Sequence, residues 1–263
     1  MKAIILAAGE GKRLGKYTRN LPKCMLEFNG KPLIQRQVET LRACGIENII
    51  IVKGYMADKI KIHGVKNYIN EDFAETNMVD TLFTAEEELN DDVLVCYSDI
   101  LYEKRVIKEA LKIKADVGVV VDLDYWDYWK ARLGRPEEDM ESMVIDRDGK
   151  IVELGSPKCC KENAKARYVG IIKFSKKGIE ALKKAYHKNK NKFFDKEQAW
   201  LNSKSFKKAY MTDILQALIN EGHNAHPIKI SRGWLEFDTV KDYDNYSNWL
   251  REGTMKRFFE MDA

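Results

Sequence analysis

No stretch of this sequence approaches the ~18 consecutive apolar residues that a membrane-crossing helix needs, so no transmembrane span is expected. No leader pattern precedes the first strand. Met1-Lys2 runs straight into apolar residues, which makes the cytoplasm the expected compartment. No uninterrupted basic block occurs. The densest patch, Lys183 to Lys192, is broken by His187 and asparagines and reads as a solvated helix end. A net charge of +4 suits small anionic substrates and does not call for nucleic acid. Cysteine is scarce: five residues, an odd number, with no C-x-x-C pair. Cys24, Cys44 and Cys96 lie in apolar contexts and read as reduced core residues. The adjacent Cys159-Cys160 read as incidental, with metal binding a lesser alternative. Internal repeats and low-complexity linkers are also absent, so 263 residues imply one large domain or one domain with an appendage.

Two glycine-loop motifs are missing as well. There is no G-x-x-x-x-G-K-[ST] P-loop. Gly9-x-Gly11 begins like the dinucleotide fingerprint G-x-G-x-x-G but continues into Lys12, Arg13 and a polar stretch without helical period. Glu27 stands where a ribose-binding acid would be sought, and it is the one feature in favour of that reading.

What is present is a short apolar strand, Lys2 to Leu6, followed by Ala7-Ala8-Gly9-Glu10-Gly11-Lys12-Arg13-Leu14. Pro22-Lys23 then precedes a strand-like run, Cys24 to Phe28. Glycines allow backbone N–H groups to approach a phosphate without an intervening Cβ. Arg13 and Lys23 can add two cations at the same place. A strand, a pliant loop and two cations suit a triphosphate. The plainer alternative, a tight turn with solvated charges, does not explain why both cations follow the glycine pair.

The first half alternates strand and helix. Apolar runs at 49–52, 65–69, 93–97 and 117–121 read as strands, and 32–43, 54–62, 77–89 and 104–113 as helices. Continuous Val/Ile runs separated by helices predict an α/β fold: a Rossmann-like, mostly parallel mixed sheet with helices on both faces. Ligands in such sheets bind beyond the carboxyl ends of the strands. From about Tyr125 the pattern changes. Asp148-Gly149 between 143–146 and 151–154 signals a hairpin. A strand at 168–174, helices at 176–188 and 210–221, strands at 225–230 and 234–237, and a helix at 240–250 follow. We read a single domain over 1–263, with 1–123 the nucleotide-binding core and 124–263 a smaller α+β elaboration that binds the acceptor and completes a metal site.

Asp99 ends the apolar strand 93–97, and Asp238 ends Trp234-Leu235-Glu236-Phe237. A strand-end aspartate is more often a turn or cap residue. Two of them opposite a triphosphate loop, however, meet the oxygen-ligand need of Mg²⁺. Glu236 points to the same side of its strand as Asp238 and is a third candidate.

The stretch L-A-A-G-x-G-x-R-L followed by P-K resembles the signature of nucleotidyltransferases of the sugar-phosphate and phosphocholine type. The resemblance implies that the loop holds an NTP and that Arg13 braces its outer phosphates while Lys23 contacts the reacting ones. It also implies that Asp99 and Asp238 bind Mg²⁺. The implied reaction is attack of a phosphate or phosphonate oxygen on the α-phosphorus, with pyrophosphate leaving. Where sugar-nucleotide enzymes carry a Gly-Thr-Ala run, this chain has Thr76-Asn77-Met78-Val79-Asp80-Thr81-Leu82. That run, Arg135-Pro136…Asp139-x-Glu141, Tyr168-Val169-Gly170-Ile171 and Gly233 to Asp238 look more like cytidylyltransferases for phosphocholine, phosphonates and phosphoglutamine. By analogy the nucleotide is CTP, held by Ala7, Ala8, Gly9, Gly11, Lys12 and Asn77.

The acceptor is less legible. Asp124-Tyr125-Trp126-Asp127-Tyr128-Trp129 concentrates aromatics and acids, and Trp234 adds another ring near Asp238. Aromatic faces attract ammonium groups by roughly 0.5–2 kcal/mol per contact. Trp126, Trp129 and Trp234, with Arg132, Glu153 and Tyr168, are therefore the candidate acceptor residues. The alternative for each ring is core packing, and for Arg132 a surface ion pair. Three functions compete. They are a cytidylyltransferase for an amine-bearing phosphate or phosphonate, a sugar-1-phosphate nucleotidyltransferase using UTP or dTTP, and a silent nucleotide-binding protein. The tail 251–263, with Met255, Phe258 and Phe259, offers either a homo-oligomer contact or packing on its own core.

Overall fold

The structure is a computed structural model and describes residues 1–261. Its elements in chain order are β1 (Lys2–Ala7), β2 (Glu27–Phe28), β3 (Lys31–Pro32), α1 (Leu33–Ala43), β4 (Ile49–Lys53), β5 (Lys66–Ile69), α2 (Met78–Phe83), β6 (Val93–Tyr97) and β7 (Ile100–Tyr102). Then come α3 (Lys104–Lys112), β8 (Val117–Asp122), α4 (Tyr125–Leu133), β9 (Met143–Ile145), β10 (Ile151–Leu154), β11 (Arg167–Phe174), α5 (Lys176–Phe193), α6 (Met211–Asn220), β12 (Ala225–Ile230), β13 (Trp234–Glu236) and α7 (Val240–Glu252). Nine strands form one mixed sheet in the order β5-β4-β1-β6-β11-β8-β12-β10-β9. Only β11 and β10 run against the rest. The sheet is therefore mostly parallel, as the buried Val/Ile runs imply. β8 is inserted between β11 and β12, so both halves of the chain build one sheet. Apolar side chains fill both of its faces: Ile5, Val38 and Ile51 lie on one, and Ile4, Ile50 and Leu215 on the other.

Several elements differ from the sequence expectation, each for a local reason. The helix expected over 77–89 ends at Phe83, and Glu86–Glu88 forms a separate 3-10 turn. There Glu88 is held by Lys2 at 2.7 Å and Lys66 at 2.5 Å, ion pairs to β1 and β5 that draw it off the helical path. The helix expected over 54–62 is only a 3-10 turn at Ala57–Lys59, entered through the left-handed Met56. β7 is a strand that the sequence did not announce. It is three residues long and gives no usable period, and it pairs antiparallel with β13. The hairpin at Asp148-Gly149 forms as β9–β10.

The aromatic segment forms α4. Tyr125, Tyr128, Trp129 and Arg132, spaced i, i+3, i+4, i+7, are buried, while Trp126 is only half-buried. Trp129 and Trp234 are 0% and 1% exposed, with ring centroids 5.6 Å apart. Both are core residues, which corrects the expectation that they present faces to an acceptor. In the tail, Met255, Phe258 and Phe259 pack into the chain's own core. Residues 262 and 263 of that tail lie outside the described residues.

Candidate active site at the strand ends

β1 and β6 are parallel neighbours, so Ala7 and Tyr97 end at the same edge of the sheet. The loop after β1 and the segment after β6 therefore meet. β13 reaches that edge through β7: Glu236 pairs with Ile100, and Phe237 N–H donates to Asp99 O at 2.8 Å. This pairing brings Asp238 beside Asp99. Between them lies a cleft of about 270 Å³. One end is lined by Gly9, Gly11, Lys12, Arg13 and Lys23, the acids are Asp99 and Asp238, and Ala8, Phe73, Thr76, Asn77, Met78 and Thr81 lie at the other end.

The loop is built to stay open. Among the described residues, Gly9, Glu10 and Gly11 donate to no other backbone group, and a Cβ on Gly9 would meet nothing within 4 Å. Gly11 has φ +75°, and a Cβ there would come within 2.9 Å of Lys23 Cβ. Its missing side chain lets the lysine pass beneath the loop. Thr18 Oγ1 donates to Gly11 O at 2.8 Å and fixes the turn.

Lys23 reaches both acids. Its Nζ lies 2.6 Å from Asp99 Oδ2 and 2.8 Å from Asp238 Oδ1. Arg13 Nη2 lies 2.5 Å from Asp238 Oδ2 while most of that side chain remains in solvent. Burial works to lower the Lys23 pKa, but Asp99 and Asp238 outweigh it and the net shift is upward. Burial pushes the Asp99 carboxyl up, and Lys23 only partly offsets it. Among the described residues, Asp99 Oδ1 is buried without a hydrogen-bond partner. An orphaned carboxylate oxygen next to a second carboxylate is a donor set that suits a hard divalent cation. Asp99 and Asp238 therefore fit Mg²⁺, and they are the residues that would hold it.

Glu236 is close enough for Asp99 to feel its charge, but Arg132 takes its Oε2. Burial alone would raise the Glu236 pKa; Arg132, Arg167 and Lys23 bring it to about 2. Arg132 is 3% exposed and pairs bidentately with Asp242 at 2.8 and 2.9 Å. Asp242 in turn accepts from the backbone N–H groups of Asp238 at 3.0 Å and Thr239 at 2.8 Å. Arg132 is thus committed to holding the Asp238 backbone, which corrects both its expected acceptor role and the surface-pair alternative. Asp242 was missed in the sequence. Its signal was there in Thr239-x-x-Asp242, the capping box that opens α7.

The remaining candidates scatter. Ala7 is buried at the end of β1 behind the cleft, whereas Ala8 and Asn77 line it. Trp234 donates its Nε1–H to Asp122 at 2.8 Å inside the core. Trp126 lies under the chain's own Lys161, whose Nζ is 4.2 Å from the ring centroid. Tyr168 packs edge-on against the cleft residue Tyr97 at 5.7 Å. Glu153 sits half-buried on β10 and does not line the cleft. No described helix is long and apolar enough to cross a membrane.

Residues 3–197 match the model of the MobA-like NTP transferase domain. A CTP:phosphoglutamine cytidylyltransferase of Campylobacter jejuni is 34% identical, over 93% of this chain and 98% of its own length. A choline-phosphate cytidylyltransferase of Streptococcus pneumoniae is 38% identical over 39% of this chain and 47% of that protein. In fold, the chain is similar to the CTP:phosphocholine cytidylyltransferase structure from Streptococcus pneumoniae, with a TM-score of 0.66, 23% identity and coverage of 95% and 98% of the two chains.

Proposed function

From the premise that the chain belongs to the family of MobA-like NTP transferases, we propose that it transfers CMP from CTP to a small phosphorylated amine or amide and releases pyrophosphate. Phosphoglutamine is the first acceptor to test. The observation that carries this reading is the meeting of Lys23 with both Asp99 and Asp238 beside an open glycine loop. The full-length likeness to a phosphoglutamine cytidylyltransferase supports the choice of nucleotide and acceptor.

The chain's groups divide the work. Backbone N–H groups of Gly9 to Gly11 face the triphosphate. Lys23 uses two of its three protons on the carboxylates and has one left for a reacting phosphate oxygen. The exposed Arg13 is free to exchange Asp238 for the outer phosphates. Asp99 and Asp238 would hold Mg²⁺, which when bound would supply positive charge against the phosphate oxygens. An acceptor oxygen then forms a bond to the α-phosphorus while the bond to the bridging oxygen breaks and pyrophosphate departs. Positioning and charge neutralisation supply most of the acceleration in such a step.

The test is pyrophosphate release with four NTPs against phosphoglutamine, phosphocholine, 2-aminoethylphosphonate, phosphoethanolamine and glucose-1-phosphate, with and without Mg²⁺. Release with CTP and one nitrogen-bearing acceptor is expected. Release only with UTP or dTTP and the sugar phosphate would replace this reading with a sugar-1-phosphate enzyme. Nucleotide binding without release in any combination would leave a non-catalytic binding protein.

A further inference from the structure

The far end of the cleft, where a base would lie once the phosphates occupy the loop, carries an unusual restriction on hydrogen-bond direction. Thr76 Oγ1 lies 2.8 Å from Asp72 O, and Thr81 Oγ1 lies 3.0 Å from Asn77 O. A carbonyl can only accept, so each hydroxyl spends its single proton on the backbone. Both hydroxyls also receive a bond from Asn70 Nδ2, at 3.0 Å each. The orientation of that amide is settled, because Asn70 Oδ1 faces the Asp72 N–H at 3.0 Å. Asn70 is 5% exposed, Thr76 8% and Thr81 4%, so water does not compete for these bonds. Each hydroxyl is left with one lone pair and nothing to donate. Asn77 donates Nδ2 to Lys208 O at 3.1 Å, which turns Oδ1 the other way, and among the described residues Oδ1 has no partner. The polar side chains of this wall are therefore acceptors.

We propose that Thr76, Thr81 and Asn77 select a pyrimidine bearing an exocyclic amine, with Asn70 as the positioning residue that holds the two hydroxyls in their accepting orientation. The inference rests on the reading of the cleft as a nucleotide site. An exocyclic amine offers two N–H groups at the tip of the ring and satisfies two acceptors at once. Uracil offers one ring N–H flanked by two carbonyl oxygens, which meet further acceptors. A wall of acceptors rejects the second pattern because its buried groups are left unpaired.

The experiment compares CTP and UTP, by equilibrium binding without acceptor and by kcat/KM with the best acceptor, in the wild type, Thr81→Val, Thr81→Ser and Asn70→Ala. Thr81→Val is expected to lower the CTP/UTP ratio by roughly tenfold or more, with most of the loss on CTP. Thr81→Ser retains the hydroxyl and should restore the ratio. Asn70→Ala releases both hydroxyls and should raise UTP binding relative to CTP. A loss of folding quality would depress both nucleotides alike and leave the ratio unmoved, and if Asn70→Ala does not fold, the Thr81 pair decides. A wild type that prefers CTP, with a ratio unchanged to within twofold in Thr81→Val, would overturn this inference alone. A wild type that prefers UTP would overturn both this inference and the cytidylyl reading. Binding of neither nucleotide would overturn the nucleotide site itself.

Discussion

Lys23→Met tests the centre of the site with a substitution of nearly the same shape. The lysine side chain is 12% exposed and lies between carboxylates that are 17% and 14% exposed. At an effective dielectric of about 20, each contact near 2.7 Å is worth about 6 kcal/mol of attraction before desolvation is counted. Burying the ammonium cancels much of that, so the pair is not worth the sum. Removing only the lysine leaves Asp99 without its counter-ion and Asp238 with only the largely exposed Arg13, and breaking a buried ion pair in this way costs about 3–5 kcal/mol. For a chain of this size that corresponds to roughly 10 °C in Tm. The assay is thermal unfolding of both proteins in a chelator, then with increasing Mg²⁺. The deficit is expected to be largest in the chelator and to shrink as a divalent cation replaces the missing charge. It should also shrink on acidification. Burial raises the folded-state pKa of Asp99 above its unfolded value, so its carboxylate penalises folding above that raised value, and the penalty fades as pH falls through it. Turnover should fall by about 10²–10³ in all conditions. A variant that melts with the wild type in chelator, and whose Tm does not respond to Mg²⁺, would refute the view that Lys23 is a counter-ion at a divalent site.

Four further outcomes are expected. Asp238→Ala should lower Mg²⁺-dependent turnover by at least about a hundredfold while far-UV circular dichroism stays native; normal turnover would remove Asp238 from the metal pair. Trp129→Ala should cost about 3–5 kcal/mol in urea unfolding because the ring is fully buried. Trp126→Ala should instead raise the acceptor KM with little loss of stability, and an unchanged KM would exclude that ring from the acceptor site. Glu236→Gln tests the carboxyl held at about 2. Its depressed pKa stabilises the fold above the ordinary glutamate range, and that contribution is lost as pH falls through about 2. The stability difference between wild type and Glu236→Gln should therefore be flat near neutrality and shrink towards pH 2, and a difference independent of pH in acid would show that Arg132 does not hold the carboxylate.

The sequence by itself determined the parts whose chemistry is local. Consecutive Val/Ile runs require burial on both faces, and so they specified a mostly parallel sheet. Gly9, Gly11, Arg13 and Lys23 could be read together as an open loop with two cations because they lie within one short segment, and they do line one cleft. The apolar strands before Asp99 and Asp238 announced carboxylates at strand ends. What remained hidden depended on which distant segments touch. β7 is too short to carry a period, yet it is the strand that seats β13 and brings Asp238 to Asp99. The aromatic run on α4 is identical in composition whether it faces solvent or core. Only the packing of Trp129 against Trp234, with Arg132 drawn to Asp242, settled that the core takes it. Asn70 carried no signal in the sequence, and its amide gained meaning only when both threonine hydroxyls came within 3.0 Å. Propensity and pattern act along the chain and can be read from it. The direction of a hydrogen bond and the partner of a buried charge are set by atoms far apart in sequence, and tertiary structure alone decides them.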